Sequence, residues 1–184
     1  MPVKNSYSGT LEIRPAWQLH DAGIERDSEL FWRSQRLLPL TADISERHRE
    51  LCVAGYDEHS LVGLTTARIR YIGFLGVKLA MVRVAVSQDR WQQHVGATLT
   101  EATRDLLQEW SLNHPQEEVL GIGSVTQVKN FPPGARLPAF RPGSRMGFVG
   151  WTANGEQFRV AWFEHATIAL RRPDLPNETG TPVD

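Results

Sequence analysis

Val82-Arg83-Val84-Ala85-Val86-Ser87-Gln88-Asp89-Arg90-Trp91-Gln92-Gln93-His94-Val95-Gly96-Ala97-Thr98-Leu99 is the most informative stretch of the chain. An apolar run ends at Val86 and meets a polar turn. The turn opens a long amphipathic pattern, with Val95, Leu99, Ala102, Leu106 and Trp110 at helical spacing. This predicts a strand over 77–87 and a helix over 92–113, stopped by His114-Pro115. A helix start carries backbone N–H groups with no partner inside the helix, and its dipole adds positive potential there. Such an end suits a diphosphate. Gly96 has no side chain, so a ligand or a neighbouring backbone can approach it closely.

Upstream, Leu11-Glu12-Ile13-Arg14 alternates and stops at Pro15, which predicts a short first strand. Residues 17–38 read as helix, in one or two pieces, with Asp27 or Ser28 as the cap of a second piece. Leu30, Phe31, Leu37 and Leu38 supply its apolar side and Pro39 ends it. Strand-like runs follow at 50–56 and 61–72, joined to each other and to 77–87 by the short turns 56–60 and 72–76. Connections this short imply antiparallel neighbours.

Downstream, Val119 to Val128 is rich in strand formers, and a loop with Pro132, Pro133, Pro138 and Pro142 follows it. Residues 147–152 and 158–169 flank the turn Ala153-Asn154-Gly155-Glu156, a strong hairpin signal. The expected class is therefore α/β (α+β), with a mixed, mostly antiparallel central sheet and helices on both its faces.

The 184 residues, 41% of them hydrophobic, suffice for one domain with a core, expected over 11–170 between flexible ends at 1–10 and 171–184. A net charge of -1 gives no electrostatic footprint of a general nucleic-acid binder. The only cysteine, Cys52, lies in an apolar run and reads as a buried core residue. The amino-terminal residues show no apolar signal segment, and no run approaches the roughly 20 apolar residues that span a bilayer. A cytoplasmic location is the default expectation. No His, Cys, Asp or Glu cluster has metal-ligand spacing, so no metal is expected.

The same stretch resembles the pyrophosphate loop of the GCN5-related N-acetyltransferase (GNAT) family. That loop reads Val-x-Pro, then Arg/Gln-x-x-Gly-x-Gly/Ala, then a leucine three residues on. Val86, Gly96 and Leu99 match it, while Gln88, Trp91 and His94 stand at the proline, the Arg/Gln and the first glycine. Asn130 after the Val119–Val128 run, Met146-Gly147-Phe148 and the opening Leu11–Ala16 also fall in the family's order, so the resemblance covers about 11–169. It implies acetyl-CoA or another acyl-CoA as co-substrate. The backbone of Gln92, Gln93, His94, Val95, Gly96 and Ala97 would cradle the pyrophosphate, with Thr98 and Asn130 beside it. Val84, Val86 and Ser87 would border the pantetheine arm, where family members splay the fourth strand from the fifth.

The implied reaction is direct attack of an acceptor amine on the thioester. It needs an unprotonated amine, a donor to the thioester oxygen and an acid for the leaving thiolate. The family's usual tyrosine position is occupied by Gly143, and Tyr7, Tyr56 and Tyr71 all lie elsewhere in the chain. Ser124 is the first substitute for the acid, and Glu50 is a candidate base beside Glu164. Arg136, Arg141 and Arg145 in the proline-rich loop read either as solvated charges or as contacts for CoA phosphates or an acidic acceptor, and Arg68, Arg70 and Arg83 would favour an acceptor with a carboxylate or phosphate if they face the cleft. A catalytically silent binding module on the same fold is the competing reading. An acyltransferase for longer or carrier-bound donors is another, with Phe74 and Leu75 as its apolar patch. The expected partners are an acyl-CoA and an amine-bearing acceptor, with no membrane, and a homodimer through the last strands is compatible with the family.

Overall fold

The computed structural model describes residues 11–39, 41, 43–91, 94–126, 137–139 and 144–168. Seven strands are β1 (Glu12–Pro15), β2 (Leu51–Asp57), β3 (Ser60–Ile72), β4 (Val77–Val86), β5 (Val119–Thr126), β6 (Gly147–Trp151) and β7 (Gln157–Trp162). The α-helices are α1 (Ala22–Ser34), α2 (Ile44–Arg49) and α3 (Val95–Asn113). The sheet order is β1-β2-β3-β4-β5-β7-β6, antiparallel at β1–β2, β2–β3, β5–β7 and β6–β7 and parallel at β4–β5. The mixed, mostly antiparallel sheet read from the sequence is thus present. The chain divides into two compact units, Met1–Arg68 with Val82–Leu106, and Ile69–Met81 with Leu107–Asp184.

In the first unit, α1 is a single helix rather than two pieces. Asp21, not Asp27 or Ser28, caps it, with its carboxylate accepting from the amides of Gly23 and Ile24. Its buried line is Ile24, Ser28, Phe31 and Trp32. Leu30 lies one step of about 100° from Phe31 and is exposed. Leu37, beyond the helix, is also exposed, while Leu38 packs on the core. The helix α2 is absent from the sequence reading because it buries no side chain and shows no apolar stripe.

The helix α3 seats deeper than its apolar pattern suggests. Gly55 and Gly63 are paired across β2 and β3, and a Cβ at either would lie within 3 Å of a Leu99 methyl carbon. Two absent side chains thus make a hollow that Leu99 fills. The buried line of α3 is Val95, Leu99, Thr103, Leu107 and Ser111, one residue past the expected Ala102, Leu106 and Trp110.

The buried Thr103 is held by a directed chain. Its hydroxyl donates to the Leu99 carbonyl at 2.7 Å, so the 2.7 Å contact with Thr65 has Thr65 as donor. Thr65 in turn accepts from the Val53 amide at 3.1 Å, beside an irregularity in the β2–β3 register. Cys52 lies fully buried in this region, and burial pushes its thiol up to about 12. Thr103→Val removes the acceptor for a buried hydroxyl. Urea unfolding should show a loss of about 1–3 kcal/mol, with Thr103→Ser recovering most of it.

In the second unit, Ile72, Val77, Leu79, Phe158 and Val160 form the core, and Phe74 meets Phe158 edge-on. Phe74 is exposed, whereas Leu75 packs against this core. The parallel β4–β5 register runs from Lys78–Val119 to Met81–Gly123, and Ser124 to Thr126 pair with β7.

Candidate functional site

The turn between β4 and α3 lies wholly in the first unit. Ser87 donates its amide to the Val62 carbonyl of β3 at 2.9 Å. Backbone polar groups alternate between the two edges of a strand. The N–H and C=O groups of Val84 and Val86 therefore face the edge of β4 away from β3. The side chains of Val84 and Val86 lie toward Gly96, where a Cβ would sit 3.5 Å from Val86 and 3.9 Å from Val84.

The turn itself is held from several sides. Residues Gln88–Arg90 form one 3-10 turn. Gln88 donates its amide to the Gln35 side chain at 3.3 Å, and Arg90 pairs with Asp57 at the end of β2 at 2.6 Å. The indole of Trp91 donates to the Val86 carbonyl at 3.1 Å, although Trp91 is 72% exposed. The Ser87 hydroxyl is buried and has no hydrogen-bond partner among the described residues. A cavity of about 340 Å³ lies beside the turn, lined by Ser34, Gln35, Arg36, Gln88 and Asp89.

His94 begins the helix with a φ of 60°, in the left-handed region that favours glycine. The resemblance puts a glycine at this position. His94 is exposed, and its carbonyl accepts from the Thr98 amide at 3.1 Å. That is the first bond of the helix, so the amides of Val95, Gly96 and Ala97 have no partner within it. Val95 is buried, whereas Ala97 and Thr98 are exposed.

Among solved structures, the chain is similar to the AtaT toxin bound to the C-terminus of the antitoxin AtaR. That match has a TM-score of 0.50 and 15% identity, over 84% of this chain and 92% of that one. An acetyltransferase of the GNAT family from Streptococcus pneumoniae aligns at a TM-score of 0.44 and 11% identity, over 66% of this chain and 77% of that one. Ard1 from Thermoplasma volcanium aligns at 0.45 and 15%, over 83% and 95%.

The chain has a GNAT-like fold.

No family model matches the sequence, and no curated protein does. The GNAT-like fold places the remaining sequence candidates as follows. Gln92, Gln93 and Asn130 lie outside the described residues, as do Gly143, Arg136 and Arg141. Glu50 stands at the end of α2, with its carboxylate 3.5 Å from Arg68, which also reaches Glu46 at 3.1 Å. Arg145 pairs with Glu164 at 3.3 Å on the surface. Tyr56 is buried, donates to Asp27 at 3.0 Å and carries Arg14 over its ring at 4.1 Å. Burial and the neighbouring Asp27 push its phenol up to about 12. Tyr71 is exposed.

Ser124 is half-buried on β5, directly opposite Arg159 of β7. Facing residues of an antiparallel pair share one side of the sheet. Arg159 is almost fully buried, a feature the sequence reading missed. Its signal was a lone charge between Phe158 and Val160. It donates to Gln157 at 2.8 and 3.0 Å and to the Leu137 carbonyl at 2.9 Å, and burial lowers its pKa.

His165 lies 2.9 Å from the Ser111 hydroxyl. Ser111 gives its proton to the Gln108 carbonyl at 3.0 Å, so it accepts from the histidine. The pair is therefore arranged as a structural contact rather than as a nucleophile with its base. Among the described residues, no group of three His, Cys, Asp or Glu is placed to hold a metal, and no helix is long and apolar enough to cross a membrane.

Proposed function

We propose that the protein is an N-acyltransferase that moves an acetyl or other short acyl group from acyl-CoA to an amine by direct attack in a ternary complex. One observation carries this reading. The edge of β4 away from β3 carries the N–H and C=O groups of Val84 and Val86, and the strand leads into a helix start where Gly96 brings no side chain of its own against them. A pantetheine arm carries secondary amides, and an extended chain with amides pairs readily with a strand edge. A diphosphate at its end suits the helix N-terminus.

On this reading, Val84, Val86 and Ser87 border the arm. The backbone at Gln92, Gln93, His94, Val95, Gly96 and Ala97 holds the pyrophosphate, with Thr98 and Asn130 adjacent. The buried, unpartnered Ser87 hydroxyl beside the turn adds support, since such a group gains by meeting a ligand. Ser124 is the proposed acid for the thiolate. Glu50 serves as base only when its pair with Arg68 opens. The acceptor is an amine-bearing molecule.

Thermal unfolding with CoA, acetyl-CoA and longer acyl-CoAs tests the binding step. A specific ligand at 100 times its dissociation constant should add about 2.7 kcal/mol to stability. The absence of any shift with every CoA species would overturn the reading. Release of free CoA in the presence of an amine panel then tests turnover. Binding without release would favour the catalytically silent module.

A further inference from the structure

We infer that the Trp91 indole is a built-in competitor for the site, occupying in the free protein the Val86 carbonyl that an acyl-CoA arm would use. The inference rests on the CoA reading above and adds its regulation. Trp91 and Val86 are five residues apart, and the chain between them doubles back through the 3-10 turn. Val86 turns its N–H and C=O to the edge of β4 away from β3, because Ser87 gives its amide to β3. That edge is where an incoming amide N–H finds an acceptor. The indole N–H already holds the Val86 oxygen at 3.1 Å.

A carbonyl oxygen can accept twice, but an indole ring brought to 3.1 Å from this one stands where an arm would lie to pair with it. The arm must displace the indole or pair with Val84 alone. Displacement is easy because Trp91 is 72% exposed and gives up little packing when it turns outward. The bond is therefore a latch on the arm-binding edge. Ligands with an amide arm must open it, and nucleotides without the arm need not.

Trp91→Phe keeps an aromatic ring and removes the donor. Binding by isothermal titration is compared for CoA and for adenosine 3′-phosphate 5′-diphosphate, which keeps the diphosphate and has no pantetheine arm. The variant should bind CoA about three- to tenfold more tightly than the wild type, the range set by one exposed hydrogen bond, with the nucleotide unchanged. The Trp91 indole N–H resonance, assigned by its loss in Trp91→Phe, gives an independent readout. Its exchange with solvent should speed up by about three- to tenfold on saturation with CoA and stay at the free-protein rate with the nucleotide.

CoA binding that Trp91→Phe leaves unchanged or weakens overturns the inference, as does an indole that stays protected when CoA is bound. Both results leave the CoA site itself standing. Failure of both ligands to bind either protein overturns the CoA reading, and this inference with it.

Discussion

Leu99→Ala is expected to lower the unfolding free energy by about 3 kcal/mol, within the 2–5 kcal/mol usual for a buried leucine truncated to alanine. Leu99 is fully buried, and it fills the hollow left by Gly55 and Gly63. Those glycines cannot close the gap by moving side chains, since they have none. The residual cavity should therefore stay large and the cost high within its range. Guanidinium unfolding followed by tryptophan emission measures it. The opposite change is informative as well. A Cβ at Gly63 would sit 2.9 Å from the Ala85 carbonyl, a backbone atom that cannot rotate away. The hollow thus sets how close α3 comes to the sheet, and so where the helix start and its first-turn amides stand relative to Val84 and Val86. A loss below about 1 kcal/mol would show that the hollow collapses freely.

Gly96→Ala should separate folding from ligand binding. In the protein alone, the added Cβ meets only ordinary contacts at 3.5 and 3.9 Å. Alanine is also the better helix former, by roughly 1 kcal/mol in a helix interior and less in a first turn. Stability should hold or rise slightly. If Gly96 is bare so that a diphosphate can reach the amides, the same methyl group stands in the ligand's way. CoA affinity should then fall by about tenfold or more, equivalent to 1.4 kcal/mol or more. Differential scanning fluorimetry with and without CoA reads both effects in one experiment. A variant as stable as the wild type that binds CoA equally well would remove Gly96 from the site.

The strands were legible because they alternate or run apolar, and short turns marked β2 with β3, β3 with β4 and β6 with β7 as neighbours, whereas β1–β2, β4–β5 and β5–β7 join segments distant in sequence. The helix face of α3 was less so. Thr103 and Ser111 are polar, yet both are buried, because their hydroxyls bond backbone carbonyls of their own helix. A hydropathy pattern places such residues outside, which turned the expected face toward Ala102, Leu106 and Trp110. The cap of α1 was misplaced for a related reason. Asp21, Asp27 and Ser28 are all capable caps by type, and only the path of the chain selects among them.

At the candidate turn, the strand, the polar connection and the helix start were all visible in the residues. The bond from Trp91 to Val86 was not, since a contact across five residues depends on how the intervening turn folds. The left-handed φ of His94 had a better signal. A histidine stood where the resembled motif has glycine, and the backbone there kept the conformation that glycine favours. Arg159 shows the limit from the other side. A charge in an apolar strand reads as an outward residue until carbonyls from distant segments are found gathered around it.

The depth of Cys52 has a practical consequence for enzymology. It is the chain's single sulfhydryl, fully enclosed, with a thiol held protonated across the range in which transferases are assayed. Chromogenic disulfide reagents react with thiolate, so the folded polypeptide adds no colour of its own. Any absorbance that develops reports the departing half of the donor, and a late rise on heating would instead mark the moment the interior opens.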